Sequence, residues 1–278
     1  MPELPEVEFA RRCALRWLGS DPLKLVSAEP TRVLREASPE AMAALSGHRV
    51  TEIHRRGKWL LWELSGGLGL IAHLGMTGKL VLQAPGDPDV RWSRARFVRA
   101  DGAVVHFQDP RMFGRLSPGR FDELRLDAGF RALGPDAWDE PLSGAELHAR
   151  LAGRKRAVKD VVMDQTVLAG IGNIQATEAL FRARIHPARA ASSLSAGECQ
   201  RLVEGMHWSL ARTLAMNKGD KIVYVEESGG VENPFLVYDR AGEPCPECGR
   251  PVEKTVIGGR TSAYCPHCQP VTRSGRRR

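Results

Sequence analysis

The sequence predicts an α+β protein of two domains, and three observations carry that reading. Between residues 49 and 110, short apolar runs alternate with glycine breaks at the spacing of antiparallel strands. Beyond residue 143 the apolar residues recur at helical spacing. Near the end, two Cys-x-x-Cys pairs stand sixteen residues apart, the spacing of a metal-binding ribbon. A chain of 278 residues is long enough for two separate cores.

The first element expected is a helix over residues 5–18. Pro5 suits a first helical turn, Glu6 and Glu8 favour the positive end of the helix dipole, and Val7, Arg11, Ala14 and Leu18 share one face. The runs Lys58–Leu64, Gly69–His73 and Lys79–Leu82 follow, separated by Ser65-Gly-Gly67 and Gly75-Met-Thr-Gly78. Asp101-Gly102 between 96–99 and 103–107 is a hairpin signal. Together these predict one helix plus an antiparallel β-sandwich over residues 1–133. Nothing periodic crosses 134–142, which reads as a linker. A helical domain is expected over 143–235, with capping boxes at Ser143/Glu146 and Ser195/Glu198. The stripe Cys199, Leu202, Val203, Met206, Leu210, Thr213 and Leu214 reads as core. A ribbon over 236–270 and a basic tail over 271–278 complete the chain.

Cys245, Cys248, Cys265 and Cys268 offer four thiolates, a complete tetrahedral set for one structural Zn2+ with no position left for water. Cys13 and Cys199 lie on helical faces and read as buried small hydrophobes. Net charge is +7 and the pI about 9.3, which favours a polyanionic partner. No run approaches the length of a membrane span, and the acidic start lacks a signal peptide's basic and apolar segments. A cytoplasmic protein with no membrane partner is expected.

Three local features carry chemistry. If Met1 is removed, Pro2 becomes a free secondary amine with a pKa of roughly 7.7–8, so part of it is neutral and able to attack a carbonyl carbon. Glu3 beside it is a candidate proton carrier. A solvated terminus before a helix explains the same residues. Gly170 and Gly172 bracket a turn into a helix near Asn173, where backbone amides can face a phosphate. Between the cysteine pairs, Gly258-Gly259 places Arg260 at a hairpin tip, either an ordinary exposed arginine or a phosphate ligand.

The start Met1-Pro-Glu-Leu-Pro-Glu-Val-Glu8, the Asn173 turn and the four-cysteine ribbon closely resemble the formamidopyrimidine-DNA glycosylase and endonuclease VIII family. Further matching stretches are Arg55–Lys58, His73–Met76, Asp109–Gly114 and Ile185–Pro187, so the resemblance runs the length of the chain. It implies a bacterial, monomeric base-excision enzyme with a helix–two-turn–helix motif, acting on damaged double-stranded DNA as both glycosylase and abasic-site lyase. By that resemblance Pro2 attacks C1′, Glu3 assists ring opening, Lys58 serves β-elimination and Arg260 the second, δ, elimination. Asn173 would hold the phosphates flanking the lesion. Met76, Arg111 and Phe113 would fill the gap left by the flipped nucleotide, offsetting a few kcal/mol of lost stacking. Arg154 and Lys159 would face DNA at the domain junction.

Each of these has a bland counterpart: surface charge for Lys58 and Arg111, core for Met76 and Phe113, a solvated helix face for Arg154 and Lys159. Three positions depart from the family pattern. Gln175 stands where tyrosine is usual, Trp92 where histidine is common, and 218–230 replaces a usually longer loop. These fall on recognition of the base rather than on Pro2 and Glu3. The expected substrates are oxidised purines such as 8-oxoguanine and formamidopyrimidine. Oxidised pyrimidines or bulkier lesions, a non-catalytic damaged-DNA binder, and a ribbon protein that binds RNA are the alternatives.

Overall fold

The computed structural model describes residues 2–216 and 233–271, which fall into two units, 2–132 and 133–216 with 233–271. Among the described residues no helix is long and apolar enough to cross a membrane.

The first unit opens with helix α1 (Leu4–Leu18), whose N-cap is Glu3. Two four-stranded antiparallel sheets follow. One holds β2 (Val50–Arg56), β3 (Trp59–Leu64), β4 (Leu68–His73) and β8 (Arg115–Arg120) in the order β2-β3-β4-β8. The other holds β1 (Leu25–Ala28), β5 (Lys79–Gln83), β6 (Ser93–Val98) and β7 (Val104–Gln108) in the order β1-β6-β7-β5. The Asp101-Gly102 hairpin joins β6 to β7 as expected, with Gly102 N donating to Arg99 O. The inward faces of the two sheets meet where Trp62 of β3 lies 5.0 Å, ring to ring, from Phe97 of β6. Helix α1 packs on strands of both sheets, which is why its first seven residues are all buried, Glu6 and Glu8 among them.

Three strands lie outside the runs read from the sequence: β1, β2 and β8. β2 buries only Val50 and Ile53, a spacing without alternation. β1 has four residues and Leu25 at its start is exposed, so it shows no alternation. β8 contains Pro118 and Gly119, residues that argue against a strand. It is an edge strand, where a missing N–H is tolerated. Short helices α2 (Pro39–Ala43), α3 (Phe121–Leu124) and α4 (Ala128–Arg131) complete the unit.

The second unit contains α5 (Gly144–Leu151), α6 (Val158–Val162), α7 (Asn173–Arg182) and α8 (Ala196–Met216). Both expected capping boxes form. Glu146 N is held by Ser143 Oγ and Glu198 N by Ser195 Oγ, and each glutamate returns a bond to its serine's N–H. Of the α8 stripe, Cys199, Leu202, Met206, Leu210 and Thr213 are buried, whereas Val203 and Leu214 are half-buried.

Residues 134–142 are not a free linker. Ala137 N donates to Ala169 O, Ala169 N to Pro135 O, and Gly134 N to Gln165 O. The Trp138 ring stacks on His207 of α8 at 4.9 Å. Backbone hydrogen bonds, which carry no periodic signature in sequence, build this segment into the second unit. The ribbon hairpin, β9 (Glu253–Ile257) and β10 (Arg260–Tyr264), is likewise joined to the helices. Phe181 of α7 sits in the ribbon core with Val237, Val252 and Ala263. Buried Glu178 of α7 accepts N–H bonds from Leu236, Val237 and Tyr238 at 2.8–3.0 Å. The expected short loop 218–230 and the basic tail from Arg273 lie outside the described residues.

Candidate active site and zinc centre

Pro2 is buried and Glu3 is 1% exposed, so the solvated-terminus reading does not describe this segment. The backbone at Glu3 is extended, which turns its carboxylate onto Glu6 N while Glu6 returns a 2.8 Å bond to Glu3 N. This reciprocal capping box locks both carboxyl groups at the start of α1. Burial, with Glu3 adding repulsion, pushes the Glu6 carboxyl up to about 7, so near neutral pH it exchanges its proton rather than staying fully ionised. A protonated and a second carboxyl beside a candidate amine form an arrangement that can hold and move protons. One turn on, Glu8 accepts from Arg11, Arg12 and Arg55 at 2.7–3.2 Å. That cluster ties α1 to β2 beneath the terminus.

Lys58 lies in the tight β2–β3 turn after Gly57 and is 9% exposed, not the solvated surface charge of the bland reading. His73, at the end of β4, has its ring 4.5 Å from that of Trp59. Burial first, then Lys58, Arg115 and Arg35, push the His73 imidazole down to about 4, which leaves it neutral. Its Nδ1 accepts from Gly75 N at 3.0 Å, so the remaining proton is on Nε2.

The structure brings the stretches around Met76 and Arg111–Phe113 together. Gly75 has φ 63°, and a Cβ there would lie 2.5 Å from the Phe113 backbone, so only glycine permits this approach. Buried Asp109 ties the two loops, accepting from Thr77 Oγ1 at 2.6 Å and Gly114 N at 2.7 Å. Phe113 is 38% exposed, with the Arg111 and Arg32 guanidinium carbons each 5.0 Å from its ring centroid. Met76 is half-buried. Neither Met76 nor Phe113 is core. Arg32, which also donates to the carbonyls of Arg111 and Met112, is a member of this cluster that the sequence does not reveal. It stands some eighty residues away in a segment without periodicity.

In the second unit, Asn173 is the first residue of α7, after Gly172 in extended conformation. Gln165 clamps the glycine turn, donating to Met163 O and Ile171 O and accepting from Gly170 N. Asn173 Oδ1 is buried without a hydrogen-bond partner among the described residues. Together with the first amides of α7 it forms a polar pole. Arg154 is exposed after α5 and its Nε donates back to Arg150 O.

Lys159 is not the residue of a solvated helix face. It is 1% exposed, and its Nζ donates to Ser262 Oγ at 2.7 Å and Thr261 O at 3.2 Å. Its ammonium is turned into the ribbon hairpin rather than toward solvent. The reason is tertiary: α6 packs beside the hairpin tip, where a Cβ on Gly258 would lie 2.6 Å from Asp160 Oδ1. Gln175 is also interior. It accepts from Ser209 Oγ at 2.6 Å and donates to Thr213 Oγ1 at 3.0 Å, a polar bolt between α7 and α8. Trp92 is 49% exposed at φ 56°.

The four Sγ atoms of Cys245, Cys248, Cys265 and Cys268 all lie within 4.8 Å of one another. The Cys248–Cys265 and Cys245–Cys268 separations are 3.5 and 3.9 Å. A tetrahedral ion with Zn–S bonds of about 2.3 Å needs sulfurs roughly 3.8 Å apart, so the donor set fits zinc. Two of the sulfurs belong to the ribbon's buried core, and the four cysteines hold one structural zinc. Arg260 is exposed beside the Gly258-Gly259 turn, both glycines at positive φ.

Three sequence families match this chain in succession. Residues 1–116 match the formamidopyrimidine-DNA glycosylase N-terminal domain, 133–224 its H2TH domain, and 242–271 the zinc finger found in FPG and IleRS. The formamidopyrimidine-DNA glycosylase of Roseiflexus sp. (strain RS-1) is 42% identical over 97% of this chain and 100% of its own length. That of Methylococcus capsulatus is 39% identical with the same coverage. Among solved structures, the MutM (Fpg) protein from Thermus thermophilus aligns with TM-score 0.81 and 37% identity, over 96% of this chain and 98% of that one. Lactococcus lactis Fpg in complex with a FAPY-dG containing DNA aligns with TM-score 0.85 and 27% identity, over 96% and 100%. With sandwich, helix–two-turn–helix and zinc ribbon in the same order and at this identity, the chain belongs to the formamidopyrimidine-DNA glycosylase family.

Proposed function

We propose that the protein is a bifunctional DNA glycosylase and abasic-site lyase that removes oxidised purines from double-stranded DNA. The observation that carries this reading is the buried terminus, with Pro2 and Glu3 locked at the head of α1 and the Glu6 carboxyl raised to about 7 beside them. A solvated terminus would need none of that order. The zinc, coordinatively complete, braces the ribbon and takes no part in bond breaking.

In this reading Pro2 nitrogen attacks C1′ of the everted nucleotide and the base departs. Glu3 protonates the ring oxygen as the sugar opens, leaving an iminium between Pro2 and C1′. The iminium acidifies the C2′ proton. Its removal expels the 3′ phosphate, with Lys58 as the proposed base and phosphate contact. A second elimination, assisted by Arg260, expels the 5′ phosphate. Asn173 and the first amides of α7 hold backbone phosphate, while Met76, Arg111 and Phe113 enter the stack. Arg154 is a further phosphate contact, and the protein works as a cytoplasmic monomer at the nucleoid.

Attack requires a free amine, so Met1 must be removed. Intact mass checks that, and borohydride trapping on 8-oxoguanine and formamidopyrimidine duplexes tests the chemistry. A processed Pro2 terminus with no trapped protein–DNA crosslink on any lesion would overturn the reading. A panel including oxidised pyrimidines distinguishes the second lesion class, which Lactococcus lactis Fpg engages in a solved complex.

A further inference from the structure

The outer part of the first unit's β1-β6-β7-β5 sheet holds a polar cavity of about 460 Å³, lined by Gln83 of β5, Ser93 of β6 and His106 of β7. These residues belong to no part of the terminal site. Gln83 Nε2 donates to the carbonyls of Asp87 and Pro88, at 3.3 and 3.0 Å. That fixes the amide orientation and leaves Oε1 facing His106 Nε2 at 2.8 Å. An amide oxygen can only accept, so Nε2 carries a proton. In the neutral ring Nδ1 is then a lone pair, and Ser93 Oγ, 2.8 Å away, donates to it in preference to the more distant Ala95 O at 3.4 Å.

Burial and a neighbouring arginine disfavour the charged ring. His106 is 3% exposed, and burial followed by Arg96 lowers its pKa against the opposing pull of Asp89. Arg94, also on the cavity wall, is committed to Glu29 at 2.7 Å and to Asp109 O at 3.0 Å. Arg96 is directly across the strand pair from His106, exposed, and without a hydrogen-bond or ion-pair partner among the described residues. Nucleophile, neutral base, and an acceptor that orients the base thus stand in line at a cavity with an uncommitted cation on its wall.

We propose that Ser93 is a base-activated nucleophile, and that the protein acylates itself there from small acyl phosphates. Ser93 Oγ attacks the acyl carbon and forms an ester bond as the carbon–oxygen bond to phosphate breaks. The serine proton passes to His106 Nδ1 and on to the departing group, which leaves as hydrogen phosphate held by Arg96. No redox partner is needed, and the inference is independent of the activity proposed for Pro2.

Incubation of the full-length protein with acetyl phosphate, followed by tandem mass spectrometry, should place one acetyl group on Ser93, absent in Ser93→Ala. A folded His106→Gln variant should acetylate Ser93 about 10²–10⁴-fold more slowly. Arg96→Ala, an exposed change that leaves folding intact, should slow acetylation by acetyl phosphate but not by p-nitrophenyl acetate. The wild-type rate should persist below the ordinary histidine pKa and fall only as His106 protonates. An unmodified Ser93, or equal Ser93 rates in wild type and both variants with both donors, would overturn the proposal and leave the chain of bonds as a support for the 84–93 loop.

Discussion

Replacing Lys159 by methionine keeps the aliphatic stem and deletes the ammonium that binds Ser262 Oγ and Thr261 O. Hydrogen bonds from a charged donor are worth about 1.5–3 kcal/mol each, and part of that is returned because the ammonium no longer has to be desolvated. A net loss of about 2–3 kcal/mol is expected, to be read at the hairpin that accepts both bonds. At about 1.4 kcal/mol per tenfold, the β10 amides should open roughly 30- to 140-fold more often, which native-state hydrogen exchange reads directly. Arg260 is the residue next to Thr261, so the ratio of β,δ- to β-elimination product should fall while base release persists. If hairpin exchange and product ratio are unchanged, the positioning role is wrong. If instead lesion-duplex affinity falls with a salt slope smaller by about 1, Lys159 contacts phosphate after all.

Glu8→Gln should lower stability at pH 7 by about 2–4 kcal/mol, since it leaves Arg55 buried against a neutral partner. Burial raises the Glu8 carboxyl, but the Arg11 and Arg12 bonds outweigh it and hold the native pKa below 4.5. The contribution is therefore full above pH 4.5 and lost as pH falls through that lower native value, a limb the variant should lack in urea titrations. Glu6 has the opposite sign. Its native pKa near 7 exceeds the unfolded value of 4.5, so its stabilisation is full below 4.5 and is lost as pH rises through 7. Glu6→Gln should flatten that slope in a melting-temperature series. Chelation of zinc should expose the Val237, Val252 and Ala263 core and unfold the ribbon first, seen as exchange at β9 and β10 preceding exchange in α8. Phe113→Ala should weaken binding to a lesion duplex by about 1–3 kcal/mol of lost stacking and leave stability nearly unchanged, because the ring is already partly exposed.

Residues whose roles depend on local chemistry were legible in sequence. Four cysteines in two pairs specify a tetrahedral site whatever surrounds them, because thiolate softness and short spacing suffice. The Ser143 and Ser195 caps form as read, since a capping box is closed within four residues. The Asp101-Gly102 hairpin is local too. Strands β1, β2 and β8 were not legible: the first is too short to alternate, the second buries only Val50 and Ile53, and the third holds Pro118 and Gly119 at a sheet edge.

The contacts of charged and polar residues were not legible where the partner is distant in the chain. Lys159 meets its acceptors more than a hundred residues away, Gln175 its own more than thirty away, and Arg32 joins Phe113 from some eighty. Spacing holds no information about such pairs. By itself, then, the sequence determined the caps, the zinc ligands and most element types, because each depends on neighbours within a few bonds. Only the tertiary structure decided which lysine is buried, which glutamate titrates near neutral pH and where the polar departures point. Those outcomes follow from desolvation and from long-range partners that appear only once the chain has closed on itself.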